Sequence, residues 1–124
     1  MVFTRVNRRM LATERLLEIE ELLGDSVIRI VPVELDGAAL QVILYLKDGT
    51  NLRVTEQWSG RVLERYSYYW LTPTNELRVG WDNAPHHTRL KTHPHHKHVG
   101  RKANLRPSSE TRLEEVMKVI LAEI

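Results

Sequence analysis

Three turn signals cut the middle of this chain into short pieces. Asp36-Gly37, Asp48-Gly49 and Ser59-Gly60 follow one another so closely that the apolar runs between them are too short for helices. Short β-branched and aromatic runs joined by Asp-Gly turns fold most simply as antiparallel hairpins. The runs are "SVIRIVPVEL", "ALQVILYLK", "NLRVTEQW", "RVLERYSYYWL" and, after the turn "TPTNE", "LRVGW". Pro32 marks the first as an edge strand or a bulged one. The second is almost continuously apolar, which predicts a strand covered on both faces. In the fourth, Val62, Glu64, Tyr66, Tyr68 and Trp70 alternate onto one face. The aromatics among them read as core, although aromatic residues on a sheet also stack on bases.

Helical spacing brackets these runs. From about Arg9 to Leu23, the residues Ala12, Leu16, Ile19 and Leu23 share one face, and Gly24 offers a left-handed stop. At the other end Leu113, Val116, Met117, Ile120, Leu121 and Ile124 form an apolar stripe. Ser108 or Ser109 is placed to cap that helix, and Glu110, Glu114 and Glu115 suit its positive end. The expected fold is therefore α+β: an N-terminal helix, a five-stranded antiparallel meander, a long loop, and a C-terminal helix packed on the sheet. At 124 residues the whole chain, 1–124, reads as one domain.

The loop carries the chemistry. From Asp82 to Pro107 neither strand nor helix periodicity persists, and loops of this length in compact domains are usually functional. All six histidines lie here: His86, His87, His93, His95, His96 and His98. From Asn83 to Ser109 there is no acidic residue, but there are Arg89, Lys91, Lys97, Arg101, Lys102 and Arg106. The net charge of +2 thus conceals a basic segment on an acidic body, a pattern that points to an anionic partner. The chain has no cysteine, which excludes disulfides and thiolate-ligated zinc. No segment has the length of a membrane span or the apolar run of a signal peptide, so a cytoplasmic protein is expected.

Histidine pairs suit RNA phosphodiester cleavage. One imidazole accepts the proton of the 2′-hydroxyl, and another donates one to the leaving 5′-oxygen. Cations stabilise the phosphorane between them. This reading assigns Asp82 to orient a histidine. His86 or His87, with one of His95, His96 and His98, takes the acid and base roles. Lys91, Lys97, Arg101 and Lys102 grip the backbone, and Lys97 and Arg101 also stabilise the phosphorane. Glu56 and Glu64 follow the apolar phase of their strands, where an unpaired carboxylate is costly. Each therefore orients a histidine, pairs with an arginine of the loop, or ends its strand. Glu56 and Tyr68 are counted as supporting residues. His93-x-His95 and His95-x-x-His98 are workable metal spacings, with Asp82 as an oxygen ligand. Neighbouring cations and the lack of a metalloenzyme signature weigh against a metal, and no cofactor is assigned. Histidines that merely brace the loop are the structural alternative.

The blocks Asp82-Asn83-Ala84-Pro85-His86-His87 and Pro94-His95-His96-Lys97-His98 resemble the TumE family of prokaryotic toxins, as do Tyr66 to Trp70 and Glu56. The resemblance covers the chain in order and size. One position departs: Gly80 stands where family members often carry arginine, and Arg78 is the nearest cation. The resemblance implies a growth-inhibiting toxin that is neutralised by a cognate antitoxin, a helix-turn-helix protein, in a homodimer or a toxin–antitoxin hetero-oligomer. It assigns no catalytic residues. The expectation is a metal-independent ribonuclease acting on RNA. The alternatives are a non-catalytic inhibitor that binds nucleic acid or another target, and a metal-dependent nuclease or nucleotidyl-transferring toxin.

Overall fold

The computed structural model describes residues 8–124. Its elements, in order, are α1 (Ala12–Leu23), β1 (Arg29–Asp36), β2 (Ala39–Tyr45), β3 (Asn51–Ser59), β4 (Val62–Leu71), β5 (Leu77–Asp82), β6 (His96–Val99), β7 (Leu105–Pro107) and α2 (Leu113–Glu123). The strands form one antiparallel sheet in sequence order, β1 to β7. The α+β meander between two helices stands as expected, but the sheet has seven strands rather than five. The extra pair lies inside the segment read as loop. "HKHV" and "LRP" are short and lack apolar alternation. Their pairing with β5 and with each other, rather than their own propensity, makes them strands.

Leu40, Val42, Leu44, Leu52, Val54, Tyr66, Tyr68, Trp70 and Trp81 point to one face. There they join Ile19 and Leu23 of α1 and Leu113, Val116, Met117 and Ile120 of α2 in a single core. Each large aliphatic side chain buried there contributes about 1.5–3 kcal/mol. Among the described residues, no helix packs on the other face of β2 to β5. Contrary to expectation, β2 is covered on one side only. Leu40, Val42 and Leu44 are buried, while Ala39 and Gln41 are exposed. Its apolar continuity reflects partial burial of Ile43 and Tyr45 among their open-face neighbours.

Other details differ from the sequence reading. Helix α1 begins at Ala12, so Arg9 lies outside it. Gly24 is right-handed, at φ −55, and opens a 3-10 turn over Gly24–Ser26 instead of a left-handed stop. No side chain caps α2. Ser108 is buried and donates to the Glu110 carbonyl, while Glu115 turns back to accept from the Thr111 N–H at 2.8 Å. Val62 and Glu64 do not share the aromatic face. A bulge between Gln57 and Trp58 pairs Trp58 with Leu63, so the core-facing phase changes and Val62 and Glu64 are exposed. The expected irregularity at Pro32 is present: β1 is the sheet edge, and its register shifts between Pro32 and Glu34. The turn glycines Gly37, Gly49 and Gly60 all have positive φ, as hairpin turns require. No described helix is long and apolar enough to cross a membrane.

Candidate functional site

Strand β5 positions the site. Trp81 turns into the core, where its indole N–H donates to Glu110 at 3.0 Å. Strand alternation then sends Asp82 to the open face. In register, Asp82 pairs with His96 and Gly80 with His98, so both histidines lie on the open face beside it. His96 Nε2 is 2.8 Å from Asp82 Oδ1, and His98 Nε2 is 3.2 Å from Oδ2. Oδ1 also accepts the Ala84 N–H at 3.0 Å. The far nitrogens are fixed as well: His96 Nδ1 lies 2.9 Å from the Pro94 carbonyl, and His98 Nδ1 lies 2.7 Å from that of Lys102. His96 is buried at 2% exposure, against 13% for His98. The His87 ring completes the cluster edge-on, with its centroid 4.9 Å from His96 and 6.4 Å from His98. Asp82, His96 and His98 each offer a ligand atom, all within 4.8 Å of one another.

Asn83 locks the turn that follows Asp82. Its carboxamide accepts the Tyr66 N–H at 2.9 Å and donates to the Glu64 carbonyl at 3.0 Å. It thereby continues the β4–β5 ladder with a side chain. The sequence reading did not single it out, although a buried Asn beside an Asp at a strand end is a signal for such a clamp.

The remaining histidines separate from this cluster. His95 belongs to the helix-covered side. Its Nδ1 lies 2.8 Å from the Tyr66 hydroxyl, and it borders a hollow with Trp58, Leu63, Thr111 and Arg112. Burial lowers its pKa, and the charges of His96 and His93 act the same way against a raising contribution from Glu115. His86 and His93 are exposed. His95, just before β6, and His96, its first residue, thus lie on opposite faces although adjacent in sequence.

The cations divide in the same way. Lys97 pairs with Trp81 in register and reaches Glu110 at 3.4 Å, on the side away from Asp82. Arg101 and Lys102 are exposed at the β6–β7 turn, next to the carbonyl that holds His98, and Lys91 is exposed in the preceding turns. Arg78 does not take the place of a cation at position 80. It stacks over Trp70 at 3.9 Å and lies 3.9 Å from Asp48. A side chain at position 80 would need the Tyr69 ring to move, because a Cβ there would lie 2.4 Å from it.

Glu56 and Tyr68 are not at the site. Glu56 is fully buried on the helix side and takes two bonds from Arg15 of α1, at 2.7 and 3.1 Å. The Tyr68 hydroxyl and the Trp58 indole complete its shell at 2.6 and 3.1 Å. Its arginine comes from α1 rather than from the loop. Burial and the neighbouring Glu56 carboxylate push the Tyr68 phenol well up, so it remains a hydrogen donor. Glu64 is exposed and contributes only its carbonyl.

From Asp82 a hollow of about 260 Å³ runs over the open face, lined by Ala84, Thr55, Gln57, Arg65, Ser67 and Tyr69. A second, of about 280 Å³, continues it past Thr55, Ser67 and Tyr69 to Arg53. Burial and Asp82 raise the Tyr69 phenol, so its hydroxyl stays protonated. Arg53 and Arg65 are not among the sequence-predicted cations, because they lie on strands β3 and β4, outside the basic segment. Period-2 alternation against Leu52, Val54, Tyr66 and Tyr68 already put them on the opposite face.

Comparison with known proteins adds the family. The family model described as Toxin TumE matches residues 13–124. Comparisons with curated proteins and with solved structures returned no match. The match takes in α2, all seven strands and α1 except its first residue, along with Asp82, Asn83 and the full histidine segment, and the chain therefore belongs to the TumE family of toxins, a toxin component whose family implies an antitoxin partner.

Proposed function

We propose that this toxin is a ribonuclease whose centre is the Asp82–His87–His96–His98 cluster. The observation that carries the reading is that Asp82, to which His96 and His98 are bonded, lines one end of a hollow with Arg65 and Tyr69 that continues towards Arg53, while His87 borders a separate hollow with Arg89. An anionic strand laid along the open face would meet arginines for its phosphates and an aromatic ring for a base. Arg101 and Lys102 flank the histidine end.

His87 is the base in this scheme, because no hydrogen bond ties its ring among the described residues. It takes the proton of the 2′-hydroxyl. The 2′-oxygen bonds to phosphorus, the bond to the 5′-oxygen breaks, and the 5′-oxygen receives a proton from the Asp82 end. In the metal-free form His98, the more exposed of the two anchored rings, returns that proton. Asp82 holds it in place, and Arg101 and Lys102 beside it offset the charge of the phosphorane. The products are a 2′,3′-cyclic phosphate and a 5′-hydroxyl. A second form places a divalent cation between Asp82, His96 and His98, which each offer a ligand atom.

RNA as the target fits a cytoplasmic protein, and an antitoxin of the helix-turn-helix class would neutralise it by binding. The test is RNA integrity after expression without the antitoxin, for wild type and His87→Ala. Fragments ending in 2′,3′-cyclic phosphate from wild type alone are expected. Growth arrest with intact RNA would replace the nuclease with an inhibitor that acts by binding.

A further inference from the structure

We infer that Asp82, His96 and His98 form a binding site for one divalent first-row transition cation, of the zinc class, at the Asp82 end of the hollow. A neutral imidazole carries one N–H. In both rings Nδ1 faces a backbone carbonyl, of Pro94 or Lys102, and a carbonyl only accepts. The one N–H of each ring therefore belongs on Nδ1. Both Nε2 atoms then turn a bare lone pair towards a carboxylate that also only accepts, at 2.8 and 3.2 Å. Neutral rings thus aim two lone pairs at one carboxylate, with ring centroids 5.0 Å apart, an arrangement that one cation between the three residues would satisfy.

The geometry suits the cation. Ligand atoms bound at about 2.0–2.2 Å lie roughly 3.0–3.5 Å apart; the two Nε2 atoms are 2.8 and 3.2 Å from separate Asp82 oxygens, and one ligand atom from each residue lies within 4.8 Å of the others, a spread that small side-chain movements close around one cation. Metal-bound histidines characteristically donate their other N–H to a backbone carbonyl, which fixes ring orientation. Both rings already do so. Two imidazoles and one carboxylate select transition cations over Mg²⁺ or Ca²⁺, and three protein ligands leave room for water or an RNA oxygen. The charge objection raised by the sequence also weakens. Lys97, which sits between the two ligands in the chain, points to the other face and pairs with Glu110. The inference parts from the metal-free expectation, and it holds whether or not the chain cleaves RNA.

The test is calorimetric titration of the full-length, metal-stripped toxin with ZnCl₂, repeated in buffers of different ionisation enthalpy, with MgCl₂ as comparison. The variants are Asp82→Asn, His98→Ala and His93→Ala, each checked for folding by circular dichroism. One Zn²⁺ per chain is expected. Affinity should fall at least about tenfold in Asp82→Asn and His98→Ala and stay unchanged in His93→Ala, while MgCl₂ gives no comparable binding. The near-isosteric Asn keeps the Ala84 hydrogen bond, so a loss of binding there is not a loss of fold. Absence of saturable Zn²⁺ binding, or equal binding by folded Asp82→Asn, overturns the inference. Because no RNA is present, neither result depends on nuclease activity.

Discussion

Arg15 of α1 and Glu56 of β3 meet in a two-point ion pair with neither side chain exposed, bonded at 2.7 and 3.1 Å. The same guanidinium reaches Glu114 at 2.7 Å, so one arginine joins both helices to the sheet. Removing one partner strands the other in the core. Glu56→Ala should destabilise the protein by about 3–5 kcal/mol, read from urea unfolding. Arg15→Met with Glu56→Leu should recover much of that loss. A double variant as unstable as the sum of its singles would contradict this account.

The arrangement also sets an acid limit. Burial pushes the Glu114 carboxyl up, but the hydrogen bond and charge of Arg15, then those of Arg112, outweigh it and leave the pKa below the ordinary value. A carboxylate depressed in the folded state contributes stability that is fully present above its unfolded value, about 4.3. That contribution is lost as pH falls through the lower folded value. Urea midpoints of wild type should therefore fall more steeply below about pH 4.3 than those of Glu114→Gln. Parallel pH profiles would remove Glu114 from the acid transition.

Asn83 should matter beyond its size. Its carboxamide serves the buried Tyr66 N–H and the Glu64 carbonyl, and an unmet buried group costs about 1–3 kcal/mol. Asn83→Ala should lose about that much stability and weaken toxicity in cells even where it remains folded, because the adjacent Asp82 loses its anchor. Asn83→Asp keeps the acceptor and loses the donor, and should fall between. Full toxicity in a measurably destabilised Asn83→Ala would separate the clamp from the site.

The open-face hollow predicts which cations meet RNA. Arg65→Ala should weaken binding to single-stranded RNA and lower the slope of log K against log salt by roughly 0.7, the value for one phosphate contact. Lys97→Ala, on the opposite side, should leave that slope unchanged. Fluorescence anisotropy across a salt series distinguishes them. Equal effects would mean that the strand does not run along the open face.

The sequence alone determined the meander and its ends. Asp-Gly turns, alternating runs and the stripe of α2 are local signals, and each works at the scale of a few residues. It also determined that histidines and positive charge gather between Asp82 and Pro107. Which histidines act together was decided by tertiary structure, because β6 and β7 are strands only through pairing with β5 and with each other. Once His96 sits opposite Asp82, a period of two carries His98 to the same side and sends Lys97 to the other, where His95, just before the strand, also lies. Burial of Glu56 against Arg15 likewise joins residues 41 positions apart, a distance over which no local pattern specifies a partner.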